Sequence, residues 1–378
     1  MIFTCRVAER KNSVILQVTE PPIRTMNSPT IDILVPVWNN PFETRACLAA
    51  ILTHSPEARL IIVDNGSSRE TELMLEEFSE PLGDQGLFIK SERNIGLVAA
   101  INLGLARSDS DYTVIVRPHV LVQSGWLKAL IDAAETTGAG IVSPLFSGTA
   151  APVLPQPVPG CTAMESCTVS FDTLLVRTEM RMVAGAFDEH LDGDEWCLKE
   201  YVRRVADYGY RTFITASLRL PCAGGQQFGS VQRRNEMVQN SRSAYLSRWG
   251  ITRHYCVYFG KEADAGSLAD TIAALLDGAR QGHRFTLLLH RRQYSVFRKM
   301  GWNGLHAGID LQRLSIPFPA QDLQRKIAAL QKATPELIAV HGCSGVTLPG
   351  MDTAISPDEL FRAISAHTTT VAVQPEET

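Results

Sequence analysis

Several features are missing from this 378-residue chain, and each absence narrows what it does. No apolar run approaches the roughly 20 residues that a membrane-spanning helix needs. The opening Met1-Ile2-Phe3-Thr4-Cys5-Arg6 lacks the apolar stretch of a signal peptide. Its eight cysteines are scattered without a Cys-x-x-Cys pair, which argues against a disulfide scaffold or a zinc ribbon and for reduced thiols in the cytoplasm. A formal net charge of −4 argues against nucleic acid as a partner. What remains is ordinary globular usage, 45% hydrophobic and 20% charged, in a chain long enough for two domains.

The most ordered pattern runs from Ile31 to Trp126. Ile31 to Val37 is a β-branched run closed by Trp38-Asn39-Asn40-Pro41, and Phe42 to Thr53 carries apolar residues at helical spacing. Arg59 to Val63 forms a second strand ending in Asp64-Asn65-Gly66-Ser67-Ser68, followed by a helix from about Glu70 to Glu80. Leu87 to Lys90 is a third strand, Asn94 to Gly104 opens the next helix, and Tyr112 to Val116 ends in Arg117-Pro118-His119. In open α/β sheets ligands settle outside the carboxyl ends of strands, where loops and helix N-termini offer free donors. Asn39, Asp64 and His119 all fall at such ends, and Gly96, Asn94 and Asn102 add a close approach and compact amides.

The ordered set Pro36-Val37-Trp38-Asn39-Asn40, Val63-Asp64-Asn65-Gly66-Ser67-Ser68, Asn94-x-Gly96-x-x-x-Ala100-x-Asn102-x-Gly104, Pro118 and Gly125-Trp126-Leu127 resembles the nucleotide-binding half of the family 2 inverting glycosyltransferases, which have the GT-A fold. Gly185-Ala186-Phe187-Asp188-Glu189, the acidic cluster Asp192-Gly193-Asp194-Glu195, Gly209-Tyr210-Arg211 and Tyr245 to Gly250 resemble its acceptor half. The resemblance covers about Ile31 to Gly250 and rests on the order of the motifs, none of which is specific alone.

The resemblance implies an α/β, GT-A type domain with a mixed central sheet over residues 31–250. It implies transfer of a hexose or deoxyhexose from a nucleoside diphosphate sugar, with inversion, to a glycan, lipid-linked or protein hydroxyl in polysaccharide or protein glycosylation. Pro36, Val37, Asn39, Asn94, Gly96 and Asn102 then line the donor, and Asp64 accepts a hydrogen bond from its base. The family usually carries an aspartate that holds Mn²⁺ or Mg²⁺ where this chain has His119. Imidazole suits Mn²⁺ better than Mg²⁺, which strongly prefers oxygen. Three readings stay open: Mn²⁺ on His119, neutralisation of the diphosphate by Arg117 and His119 without metal, or a site without catalysis.

Inverting transfer needs a carboxylate that takes the proton of the acceptor hydroxyl. Spacing from Phe187 puts Cys197 at the family's base position and spacing from Gly209 puts Leu198 there, so a shifted register points to Asp194 or Glu195. The same two residues equally suit the capping of a helix that runs to about Tyr208. A His that often reaches the diphosphate or metal is matched here by Cys222. The alternative to an enzyme is a non-catalytic nucleotide-sugar-binding or scaffold protein. A sugar-phosphate nucleotidyltransferase would carry a Gly-rich loop and a basic residue after the first strand, and Val35-Pro36-Val37-Trp38-Asn39 has neither.

Outside this region, two strand-like runs in residues 1–30 read as a β-hairpin extension, and the Pro-rich stretch from Phe146 to Cys167 as an acceptor-site loop. Residues 251–378 alternate helix (Ser267 to Arg280), strand (Arg284 to His290), helix (Arg292 to Lys299), strand (Leu311 to Ile316), helix (Gln321 to Lys332) and strand (Glu336 to His341), which predicts a small α/β domain with a parallel sheet. His341-Gly342-Cys343-Ser344-Gly345 is a weak phosphate-cradle candidate, and Ser356-Pro357-Asp358-Glu359 a capping box.

Overall fold

The computed structural model describes residues 6–7, 16–17, 29–148, 152, 154, 160–191, 194–222, 231–261, 263, 268–342, 348 and 354–366. It divides into two compact units, one made of Met1–Val153 and Thr162–Tyr245, the other of Leu154–Cys161 and Leu246–Thr378. At the N-terminus β1 (Arg6–Val7) pairs antiparallel with β2 (Leu16–Gln17). The rest of the expected hairpin, and nearly all of the Pro-rich stretch from 149 to 159, lie outside the described residues.

The first unit is built on β3 (Ile31–Val37), α1 (Pro41–His54), β4 (Arg59–Asn65), α2 (Arg69–Ser79), β5 (Gly86–Ser91), α3 (Leu97–Leu105) and β6 (Tyr112–Val116). It continues through α4 (Trp126–Thr137), β7 (Ile141–Ser147), β8 (Ala163–Glu165), β9 (Thr173–Arg177), α5 (Thr178–Ala184), α6 (Asp194–Asp207) and β10 (Thr212–Pro221), into α7 (Val231–Trp249). One eight-stranded sheet has the order β5-β4-β3-β6-β9-β7-β10-β8. β5, β4, β3 and β6 run parallel, and the direction reverses at β9, which is antiparallel to both β6 and β7. This is the mixed α/β sheet that the resemblance implies.

Both faces of the inner strands β3, β4 and β6 are covered, which is why they read as continuous apolar runs instead of alternating ones. Ile33, Val35 and Val37 pack with Cys47, Leu48, Leu75, Trp126 and Leu130 from α1, α2 and α4. Leu34, between them, faces the other way, toward Val98 and Ile101 of α3, Met180 of α5 and Tyr201 of α6. Fully burying each such side chain contributes about 1.5–3 kcal/mol relative to leaving it exposed, so the layers hold the strand tips in a fixed plane.

The second unit opens with β11 (His254–Tyr258), then α8 (Ala269–Arg280), β12 (Arg284–Leu289), α9 (Arg291–Lys299), β13 (Ile309–Arg313), α10 (Pro319–Ala333), β14 (Ile338–His341) and α11 (Pro357–Ala366). Its four strands are all parallel in the order β13-β12-β11-β14, as the alternation predicts. The alternation predicts a helix as the first element of this module; the structure begins it with β11, one of its two inner strands. Five residues with a histidine and two tyrosines carry too short a pattern to be seen, and it is their pairing with β12 and β14 that makes them a strand. The capping box is present, with Glu359 N–H donating to Ser356 Oγ at 3.2 Å and Ser356 N–H to Glu359 Oε2 at 2.7 Å. Residues 343–345 of the phosphate-cradle reading lie outside the described residues.

Candidate functional site

The tips of β3, β4 and β6 converge because the three strands are neighbours running the same way. Beyond β3 the chain turns through Asn39 (φ 60°) and Asn40 (φ 53°), a left-handed pair that asparagine tolerates better than other side chains. Asn39 stitches two tips together: its N–H donates to Ser67 Oγ at 2.9 Å and its Oδ1 accepts from Ser68 N–H at 2.7 Å.

At the tip of β4 Asp64 is buried, and its Oδ1 accepts from Ser67 N–H at 3.0 Å, so it closes its own turn. The next residue reaches across. Asn65 Nδ2 donates to Gly96 O at 3.1 Å and Asn94 Oδ1 at 3.2 Å, and Asn65 Oδ1 accepts from Ile95 N–H at 2.9 Å. Asn94 Oδ1 in turn accepts from Gly96 N–H at 2.9 Å, so the 94–96 turn ahead of α3 is clamped to β4.

These tips enclose a hollow of about 120 Å³ lined by Pro36, Val37, Trp38, Asn39, Asn40, Glu43, Asn65, Asn94, Leu97, Arg117, Pro118 and His119. Pockets that bury a whole small ligand start near 300 Å³, so this one suits a part of a larger ligand. Of the residues singled out in the sequence, Pro36, Val37, Asn39, Asn94, Arg117 and His119 meet here, with Gly96 held beside them by Asn65. Asp64 and Asn102 are not in this wall. Asn102 instead grips the Phe187 segment: its Nδ2 donates to Phe187 O and Glu189 Oε1, both at 2.9 Å, and its Oδ1 accepts from Phe187 N–H at 3.1 Å.

Asp194 and Glu195 begin α6, and their side chains lie outside the described residues. Cys197 and Leu198, the two positions that spacing selected for the base, are both buried in the core. Glu200 is buried too and pairs with Arg204 at 3.0 Å, while Arg204 also donates to Ala184 O and Ala186 O. That cluster locks α6 to the end of α5 and serves architecture.

His119 brings in residues the sequence reading did not place. Because β9 pairs antiparallel with β6 in the register Val116↔Thr173, Asp172 falls opposite Arg117, and Arg117 N–H donates to Asp172 O at 3.0 Å. The turn closed by Val120 N–H on Arg117 O, 3.0 Å, then carries His119 over the carboxylate, with Nε2 2.8 Å from Asp172 Oδ1. Val120 forms a bridge with Cys222 just beyond β10, and Cys222 Sγ lies 3.8 Å from Asp172 Oδ2. Burial acts to raise the Asp172 carboxyl, but the hydrogen bond and charge of His119, with help from Arg117 and Ser170, outweigh it and hold the group below its ordinary value.

His119 Nε2, an Asp172 oxygen and Cys222 Sγ all lie within 4.8 Å of one another, the one such three-donor group among the described residues. The donors fit a divalent cation in number and type. Asp172 escaped the sequence reading because only the antiparallel register brings it here. Glu43 had no signal beyond its place in the first turn of α1, whereas Asn65 lay in a turn already singled out.

Residues 32–151 match the family model for glycosyl transferase family 2. Among curated proteins, the chain is 25% identical over 121 residues to glycosyltransferase AglE of Haloferax volcanii, covering 31% of this chain and 40% of the relative. It is 31% identical over 101 residues to glycosyltransferase GlyA of Streptococcus pneumoniae serotype 4, covering 26% of this chain and 14% of that one. Each match thus spans less than half of the relative. Among solved structures, the mannosyltransferase PcManGT of Pyrobaculum calidifontis, in complex with GDP-Man and Mn²⁺, aligns with a TM-score of 0.48 and 14% identity over 82% of both chains.

Proposed function

Starting from a chain whose N-terminal unit carries a family 2 glycosyltransferase domain, we propose that it transfers a hexose or deoxyhexose from a nucleoside diphosphate sugar to a hydroxyl acceptor, with inversion at the anomeric carbon. The observation that carries the proposal is the single hollow in which the tips of β3, β4 and β6 present Asn39, Asn65, Arg117 and His119, inside the segment that matches the family. The acceptor belongs to polysaccharide or protein glycosylation.

In this reading each tip has one task. Arg117, the cation lining the hollow, neutralises the diphosphate through paired N–H donors. The Asn39 and Asn65 clamps keep the loop amides in place, so little ordering is left to occur on binding. Asp64 sets the turn against which the base rests. A divalent cation, held by His119 with Asp172 and Cys222 beside it, would supply positive charge for the leaving nucleoside diphosphate. Asp194 or Glu195, at the start of α6, takes the acceptor proton.

The rival is a protein that binds a nucleotide sugar without transferring it. It draws on the burial of Cys197 and Leu198, which leaves the spacing-derived base position without a carboxylate. A thermal-shift titration with UDP, dTDP and GDP, with and without divalent metal, tests binding; stabilisation should reach about 2.7 kcal/mol at a hundredfold excess over Kd. Donor hydrolysis in the wild type that disappears in the Asp194→Asn/Glu195→Gln double variant supports transfer. Binding without turnover supports the rival, and no shift with any nucleoside diphosphate overturns both.

A further inference from the structure

We propose that His119 Nε2, the Asp172 carboxylate and Cys222 Sγ form one three-donor metal site that selects a zinc-class cation over manganese and magnesium. Three separate segments supply the donors: the turn after β6, the residue before β9 and the residue after β10. Backbone bonds fix all three. Arg117 N–H reaches Asp172 O, Leu121 N–H reaches Pro221 O at 3.3 Å, and Cys222 N–H reaches Ser147 O at 3.2 Å.

The spacing suits a small tetrahedral ion. With Zn–N and Zn–O near 2.0–2.2 Å and Zn–S near 2.3 Å, the edges of a tetrahedron are about 3.3–3.7 Å. His119 Nε2 lies 2.8 Å from Asp172 Oδ1, Cys222 Sγ lies 3.8 Å from Asp172 Oδ2, and the three donors all lie within 4.8 Å of one another, so small rotations about side-chain bonds would bring them onto one ion. Of these donors the thiolate discriminates most, favouring zinc and cobalt over the harder Mn²⁺ and Mg²⁺, and the divalent affinity series places zinc well above manganese.

The cysteine at this place is unlike Cys47, the other buried thiol near the hollow. Cys47 has the Arg117 carbonyl at 3.7 Å, and burial pushes its thiol up to about 12, as expected of a packing residue. Cys222 instead sits with imidazole and carboxylate atoms in reach. Of the three donors only His119 lines the hollow, so an ion held here would sit at the edge of the hollow, where a fourth ligand could come from the bound molecule. The donor set stands on its own geometry; only the assignment of that fourth position to a diphosphate oxygen rests on the transferase reading.

The test uses the full chain, stripped of metal and titrated with Zn²⁺, Co²⁺ and Mn²⁺ by competition with a chromophoric chelator. Expected are one zinc per chain bound at least about a hundredfold tighter than manganese, and a cobalt form with a thiolate-to-cobalt charge-transfer band. Cys222→Ser should remove that band, and His119→Ala should weaken zinc by more than about a hundredfold, beyond what loss of an outer-shell partner costs. Circular dichroism and the metal-free Tm establish that each variant is folded; Asp172→Asn gives a third, independent readout. Equal affinity for zinc and manganese, or wild-type zinc binding in folded Cys222→Ser, overturns the site. Zinc bound as described, with no response to any nucleoside diphosphate, upholds the site and fails the transferase reading; nucleotide binding without zinc preference does the reverse.

Discussion

Gly66 lies one residue past β4 with φ at +69°, and a Cβ there would come within 2.3 Å of the Arg93 carbonyl carbon and 2.5 Å of Asn94 N. Both are backbone atoms, so an alanine must displace the turn that Asn65 holds. Gly66→Ala is expected to cost at least about 1–3 kcal/mol in chemical denaturation and to weaken nucleoside diphosphate binding. Gly83→Ala, at φ +52° with open space around the added carbon, provides the comparison and should lose less. The turn chemistry of Asn39, Asp64 and Asn65 could be read from residue type, because short amides and carboxylates close turns wherever they occur. Which of them faces a ligand could not. Asp64 and Asn65 are adjacent, and the strand's pleat and the position of the 94–96 turn decide between them.

At the scale of elements, α3 and the Phe187–Glu189 segment are joined through Asn102, which makes three part-buried or exposed hydrogen bonds at 2.9–3.1 Å. This segment leads into α6, where Asp194 and Glu195 begin the helix. Asn102→Ala should therefore destabilise by about 1–3 kcal/mol and reduce donor turnover more than donor affinity, read as a fall in kcat with KM little changed. The resemblance carried by Asn94-x-Gly96-x-x-x-Ala100-x-Asn102-x-Gly104 assigned Asn102 to the donor; its contact with Phe187, 85 residues away in the chain, has no local signal. Strands β3, β4 and β6 were recovered to within a residue or two, since burial on both faces writes a continuous apolar run, and the half-buried edge strand β5 was recovered from its short run Leu87-Phe88-Ile89. β11 was missed for the opposite reason, being short and mixed in composition.

For the whole molecule, the two units have separate cores and should respond differently to acid. His306 in the second unit is buried, accepts from Gly308 N–H through Nδ1 at 2.8 Å, and is pushed down to about 3 by burial, with a smaller effect from Arg280. Its folded value lies below the unfolded value near 6.5, so its contribution is intact above about pH 6.5 and is lost progressively toward pH 3. By pH 4 the loss is on the order of 3 kcal/mol. Calorimetry between pH 7 and 4 should show one transition falling faster than the other, and His306→Gln should flatten that dependence. The sequence by itself determined strands β3 to β6 and the parallel character of the second sheet, because hydrophobic period and turn residues are local properties. Only the tertiary structure decided which side chains share a site: the antiparallel register of β9 on β6 sets Asp172 under His119, and the Val120–Cys222 bridge adds the thiol, by hydrogen bonds between segments that nothing along the chain announces.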